Sequence, residues 1–104
     1  MRCRSCSPLP EEVRRVADLL ERRWTVSILV ASNEGAQRFN EFLQMLGPVP
    51  PATLTSRLAE LEAAGIFERV VVPSRPPRVE YLLTARGRRL GAIVAGLRGF
   101  ALAE

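Results

Sequence analysis

Apolar residues first recur at helical spacing at Val13, Val16, Ala17 and Leu20. They follow Pro10-Glu11-Glu12, a favourable helix opening: proline has no amide to leave unpaired in the first turn, and carboxylates suit the positive end of the helix dipole. The spacing predicts a helix over residues 10–21. Residues 24–31 form a second apolar segment, and Ser32-Asn33-Glu34-Gly35 supplies its stop, so a buried helix is expected there. A short third helix begins near Gln37, with Phe39, Phe42, Leu43 and Leu46 on one side, and "GPVPP" breaks it.

The fourth helix is predicted over residues 51–64, with Leu54, Leu58 and Leu61 as its buried stripe. A turn of about 100° per residue sets Ser56 almost opposite that stripe, with Ala52, Thr53, Ala59 and Glu60 nearby and Thr55 and Arg57 on the flanks. Gly65 suits the left-handed position that ends helices most readily. The period then becomes that of extended chain: residues 66–72 are rich in β-branched side chains, "PSRPP" is a stiff turn, and residues 78–83 are extended again. This is a hairpin with Arg75 at its tip. Thr84 is the expected N-cap of a last helix whose stripe is Leu90, Ile93, Val94, Leu97 and Phe100 or Ala101. The fold class is therefore mainly α with a small β hairpin. Residues 1–8 read as a loose tail, and residues 9–104 as one domain.

Composition narrows the chemistry. The chain has 104 residues, and its 15 basic residues against 11 acidic ones give a net charge of +4, which favours a polyanionic partner. All the basic residues are arginine, so each positive group offers a planar fork of donors to a phosphate or a guanine edge. Histidine is absent, which removes most metal sites and the usual nucleophile–base pairs; no catalytic residue, metal site or cofactor is expected. No apolar run is long enough to span a membrane, and no cleavage site follows the basic start, so the expected location is the cytoplasm.

Three helices, a fourth with a small polar outer face, and a hairpin directly after it form the order of a winged helix-turn-helix. In that arrangement the second helix of the motif enters the major groove and its early residues reach base edges. Pro51, Ala52, Thr53 and Ser56 then lie where the helix approaches the groove, and Arg57 at the flank is expected to meet a phosphate or a guanine. Arg75 at the wing tip, Arg78 at its base and Arg38 at the start of the third helix are expected on the DNA backbone or in a minor groove.

Four spaced motifs, "RRWTVSIL", "RFNEF", "TLTSRLAELEAAGIFERVV" and "PPRVEYLLTARG", resemble the HxlR-type transcriptional regulators, relatives of the MarR type. The resemblance covers residues 11–102 and implies a homodimer that binds a promoter operator as double-stranded DNA, joined through its first and last helices. It places the recognition helix at residues 51–64 and the wing at residues 72–78, with Arg38 before the motif's first helix and Asn40 and Glu41 of the "RFNEF" signature also carried over to the DNA side. This chain departs from the family in two places. The family's paired glycines before the basic-tryptophan pair are replaced by Glu21-Arg22. The position at which many members carry a cysteine holds Glu11, while Cys3 and Cys6 lie further out.

The last helix carries more apolar residues than one small core needs. Leu90, Ile93, Val94, Leu97 and Phe100, with Leu9, Val13 and Val16 from the chain's start, are therefore the expected dimer interface. Cys3 and Cys6 lack the two further ligands a zinc site requires and the strand-to-helix setting of a thioredoxin motif. They remain either a redox or electrophile switch or an inert tail. A small-molecule or oxidant effector is consistent with the sequence but not identified by it. Two other functions share the same elements, a non-regulatory architectural DNA-binding module and a winged helix that contacts protein.

Overall fold

The computed structural model describes residues 6–103 and contains, in chain order, α1 (Glu11–Glu21), α2 (Thr25–Asn33), α3 (Phe39–Leu46), α4 (Pro51–Ala63), β1 (Phe67–Val72), β2 (Arg78–Leu83) and α5 (Ala85–Leu102). The strands pair antiparallel, from Phe67 opposite Leu83 to Val72 opposite Arg78. This is the expected mainly α chain with one hairpin. Among the described residues, no helix is long and apolar enough to cross a membrane.

The core is built where the stripes converge. Ile28 and Leu29 of α2, Phe42 of α3, and Leu54, Leu58 and Leu61 of α4 are completely buried, and Ile66 and Phe67 close the space beneath the hairpin. Burial of each leucine is worth about 1.5–3 kcal/mol, so the three on α4 suffice to fix which of its faces turns outward. Phe67 sits edge-on to both Phe42 and Tyr81, with ring centroids 6.1 and 6.2 Å apart, and so couples helix α3 to both strands.

Two boundaries differ from the periodicity. Trp24 does not open α2: it has φ 81° and ψ −14°, a left-handed conformation rare for a bulky residue, and turns the chain so that Thr25 begins the helix. Its carbonyl still accepts from the Ile28 amide at 2.9 Å. Helix α2 also runs on to Asn33, because the Asn33 side chain is used: its Nδ2 donates to the Gly91 carbonyl of α5 at 2.9 Å.

The end of α4 and the start of α5 are fastened together. Gly65 has φ 76°, and the Ile66 amide reaches back to the Leu61 carbonyl at 2.9 Å, closing the helix as expected. Thr84 Oγ1 donates to the Gly65 carbonyl at 2.5 Å and accepts from the Gly87 amide at 2.9 Å, so one hydroxyl caps α5 and grips the end of α4. Gly87 packs so closely that a Cβ there would collide with the Ile66 carbonyl oxygen.

Val94 corrects the reading of α5. It is only 8% exposed and belongs to the core of its own chain, because the face bearing Gly87, Gly91 and Val94 is the one that docks on α2, on Ile66 and on the end of β2. Leu90 also packs partly against that core. Leu9, Val13, Ile93, Leu97 and Phe100 remain exposed, with Ile93 at 77% and Phe100 at 82%, and Val16 is half-buried.

Candidate nucleic-acid interface

Helix α4 follows α3 after a short bend at residues 47–50 and leads directly into the hairpin. With Leu54, Leu58 and Leu61 held in the core, the residues exposed between Pro51 and Ala59 are Pro51, Ala52, Thr55, Ser56 and Ala59. This surface is small and carries no charge; the first exposed charge on the helix is Glu62, in its last turn. A helix with such a face can bring its backbone close to a groove floor, with hydroxyls to donate or accept and methyl groups to meet thymine. Thr55 Oγ1 donates to the Pro51 carbonyl at 3.1 Å and keeps its lone pairs outward. The Ser56 side chain is exposed and makes no hydrogen bond among the described residues.

Thr53 and Arg57 stand differently from expectation. Thr53 is half-buried, turned toward Trp24, Pro48 and Pro50. Arg57 has a side chain only 16% exposed; its Nε donates to the Arg23 carbonyl at 2.9 Å and its NH1 lies 3.2 Å from Glu60 Oε2. Glu60 Oε1 in turn faces Arg22 Nε at 2.9 Å. Arg57 is therefore a bolt between α4 and the turn joining α1 to α2, not a residue free to reach a phosphate. The helical angles explain it, since Thr53, Arg57 and Glu60 share the flank of α4 that faces that turn.

Between α3 and β2, the structure brings together Arg38, Asn40 and Arg78, which border one shallow groove with Gln44 and Val79. Arg38 and Asn40 are exposed, and the Arg38 guanidinium has no ion pair among the described residues. Arg78 is partly engaged, its Nε 3.2 Å from Glu80 Oε2. Arg75 is exposed in the turn, where Ser74 Oγ donates to the Pro76 carbonyl at 2.6 Å. The wing is held against α3 by the Tyr81 amide, which donates to the Gln37 carbonyl at 2.7 Å.

Glu41 explains how α3 begins beside this surface. Its carboxylate accepts from the backbone amides of Gln37 at 2.8 Å and Arg38 at 3.0 Å. These bonds, the Gln37 amide first and then Arg38, hold the Glu41 carboxyl below the ordinary carboxylate range. It is a structural cap and adds no DNA donor.

Sequence reasoning missed one basic residue. Arg23 is exposed, its guanidinium 4.9 Å from the centre of the Trp24 ring, at a groove that Pro48, Pro50, Thr53 and Arg57 also line. The signal was the adjacent arginine and tryptophan, but nothing local indicated that the turn lies against the start of α4. Of the cysteines, Cys6 is exposed and Cys3 lies outside the described residues. Among the described residues no cluster of side chains is suited to hold a metal ion.

Comparison with known proteins agrees with this architecture. The model of the HxlR-like helix-turn-helix family matches residues 19–103. An HTH-type transcriptional regulator of Synechocystis sp. is 40% identical over 85 residues, 82% of this chain and 63% of that protein, so the chain spans under two thirds of that relative's length. The redox regulator HypR in its oxidised form superimposes with a TM-score of 0.79 at 34% identity, covering 89% of this chain and 96% of that one. The reduced form of the transcriptional regulator YodB from Bacillus subtilis gives a TM-score of 0.78 at 31% identity, covering 90% and 92%. The chain belongs to the HxlR-like helix-turn-helix family, a family of transcriptional regulators and not of enzymes.

Proposed function

We propose that this HxlR-like chain is a sequence-specific DNA-binding regulator that acts in the cytoplasm as a homodimer on a promoter operator. Residues 9–104 form its DNA-binding domain, preceded by a tail. The observation that carries the reading is the outer face of α4: small, uncharged over its first turns, with the Ser56 side chain unpartnered among the described residues, in a chain that also gathers Arg38, Asn40 and Arg78 at one groove. Ala52, Ser56 and the exposed edge of Pro51 approach base edges; Arg38, Asn40, Arg75 and Arg78 contact the backbone. Thr53 serves at the inner edge of the helix.

Homodimer formation rests on Ile93, Leu97 and Phe100 of α5 and Leu9 and Val13 of the N-terminal segment, apolar side chains that one chain leaves exposed. Two recognition helices are then presented to half-sites about one DNA turn apart. Control by oxidants through Cys6 and Cys3 is supported by the exposure of Cys6 and by the likeness to HypR, a redox regulator.

The decisive experiment is selection of genomic fragments by the full chain, followed by gel-shift titration of the selected site against random duplex. Specific binding should exceed non-specific binding by about a thousandfold or more. Ser56→Glu should abolish the specific complex while leaving the fold intact, because a carboxylate would face base edges and phosphates. Equal affinity for all duplexes would favour an architectural module, and unchanged binding by the variant would remove α4 from the groove.

A further inference from the structure

Three arginines meet at the junction of the α1–α2 turn with α4, and two of them share one carboxylate. Glu60 is shared by Arg22 at 2.9 Å and Arg57 at 3.2 Å, and Arg23 has no acidic partner among the described residues. The junction therefore carries an excess of positive charge, and that excess is carried outward by Arg23. Arg57 is largely buried and Arg22 is directed at Glu60, whereas Arg23 is exposed.

The Arg23 side chain is also pre-positioned. Its guanidinium rests 4.9 Å from the Trp24 ring centre, an arrangement that favours a cation and limits its rotamers. Its main chain is held by the bond from Arg57 Nε to its carbonyl. The left-handed φ of 81° at Trp24 turns the ring and the arginine toward the groove bordered by Pro48, Pro50 and Thr53. That groove includes Thr53 of the first turn of α4 and is separate from the one lined by Arg38, Asn40 and Arg78.

We infer that Arg23, steadied by Trp24 and with the Thr53 hydroxyl beside it, seats a phosphate of the DNA backbone next to the base-reading turn of α4. A helix lying in the major groove has a phosphate strand along each side. The wing and Arg38 attend to one; the Arg23 groove brings to the first turn of α4 an exposed guanidinium with no acidic partner among the described residues. The ligand is a phosphodiester, so the contact contributes affinity and register without reading sequence. The inference rests on the proposed binding of α4 to DNA.

The test uses the full chain with Arg23→Ala and Arg23→Lys, titrated on the selected operator and on random duplex across a salt series. Removing one phosphate neutralisation should lower the slope of log K against log salt by about 0.9, which at 0.1 M salt weakens binding about eightfold per half-site. Arg23→Ala should show that weakening equally on both duplexes, and Arg23→Lys should recover most of the slope. Thermal melting, read in parallel, separates DNA contact from structure: a melting temperature lowered in Arg23→Ala with an unchanged salt slope assigns Arg23 to the turn alone and overturns the inference. An unchanged slope and affinity in Arg23→Ala, where the wild type binds its operator, also overturns it and leaves the α4 reading standing. Failure of the wild type to bind any duplex overturns both.

Discussion

Arg57 Nε donates to the Arg23 carbonyl oxygen at 2.9 Å, across 34 residues of sequence. With the Arg22–Glu60–Arg57 contacts, this bond ties the flank of α4 to the turn that ends α1. The orientation of the base-reading helix is thus set from two directions, by the leucines beneath it and by this lateral bolt. A displacement of α1, the helix nearest in sequence to the N-terminal cysteines, would be passed to α4 through the same atoms.

Arg57→Ala should therefore act on stability before it acts on DNA. It leaves the Arg23 carbonyl without its donor and removes one of the two cations at Glu60, and hydrogen bonds involving a charged group are each worth about 1.5–3 kcal/mol. The expected result is a fall of that order in unfolding free energy by denaturant titration, with weakened binding as a consequence of a loosened helix. A variant as stable as wild type but unable to bind would return Arg57 to the DNA surface.

Two glycines of α5 should respond with opposite signs to the same substitution. Alanine is favoured over glycine in a helix by about 1 kcal/mol. At Gly99, where a Cβ meets nothing within 4 Å and which lies away from the Ile93–Leu97 stripe, Gly99→Ala should stabilise the protein. At Gly87 the Cβ would collide with the Ile66 carbonyl oxygen, and backbone cannot swing aside as a side chain can. Overpacking of this kind costs about 1–3 kcal/mol, so Gly87→Ala should lower the melting temperature despite its better propensity. Equal shifts in the two variants would contradict the close docking of α5 on the Ile66 backbone.

The chain's pattern already contained the element order, because leucine and phenylalanine spacing, Gly65 and Thr84 are local signals that the packing agrees with. It did not contain the partners of its arginines. Arg57 has the spacing of a flank residue free for DNA, and only the turn brought against it across 34 residues makes it structural. Val94 has the spacing of the interface stripe, yet the Asn33–Gly91 contact rotates α5 so that Val94 points inward. Trp24 fits an apolar helix, and its left-handed backbone follows from the chain reversal between α1 and α2. The departures at Arg57 and Val94 arise from contacts distant in sequence, which periodicity does not encode.

Ile93→Arg should separate association from folding. Ile93 is 77% exposed, so the substitution leaves the core intact while placing two like charges against each other in a symmetric contact along α5. Sedimentation equilibrium should give a monomer with an unchanged circular dichroism spectrum, and operator affinity should fall because half-sites are no longer bound together. A dimer that persists at micromolar concentration would move the interface away from this face.

Glu41 predicts a pH dependence at the base of the wing. Its folded-state carboxyl is held below the ordinary carboxylate range, chiefly by the Gln37 amide and then by that of Arg38. A group with a depressed folded pKa contributes stability that is complete above its unfolded pKa and is lost as pH falls through the folded one. The start of α3 should therefore loosen only in acid, and with it the Gln37 carbonyl that accepts from Tyr81 of β2. The Gln37 and Arg38 amide resonances should titrate together below the ordinary carboxylate range, and Glu41→Gln should abolish that titration while weakening the cap at neutral pH. Because the carboxylate is consumed by these amides, Glu41 offers DNA little but repulsion, and Glu41→Gln should bind the operator no worse than the loosening of α3 requires. A pH-independent pair of amides in the wild type would show that the cap is not formed in solution.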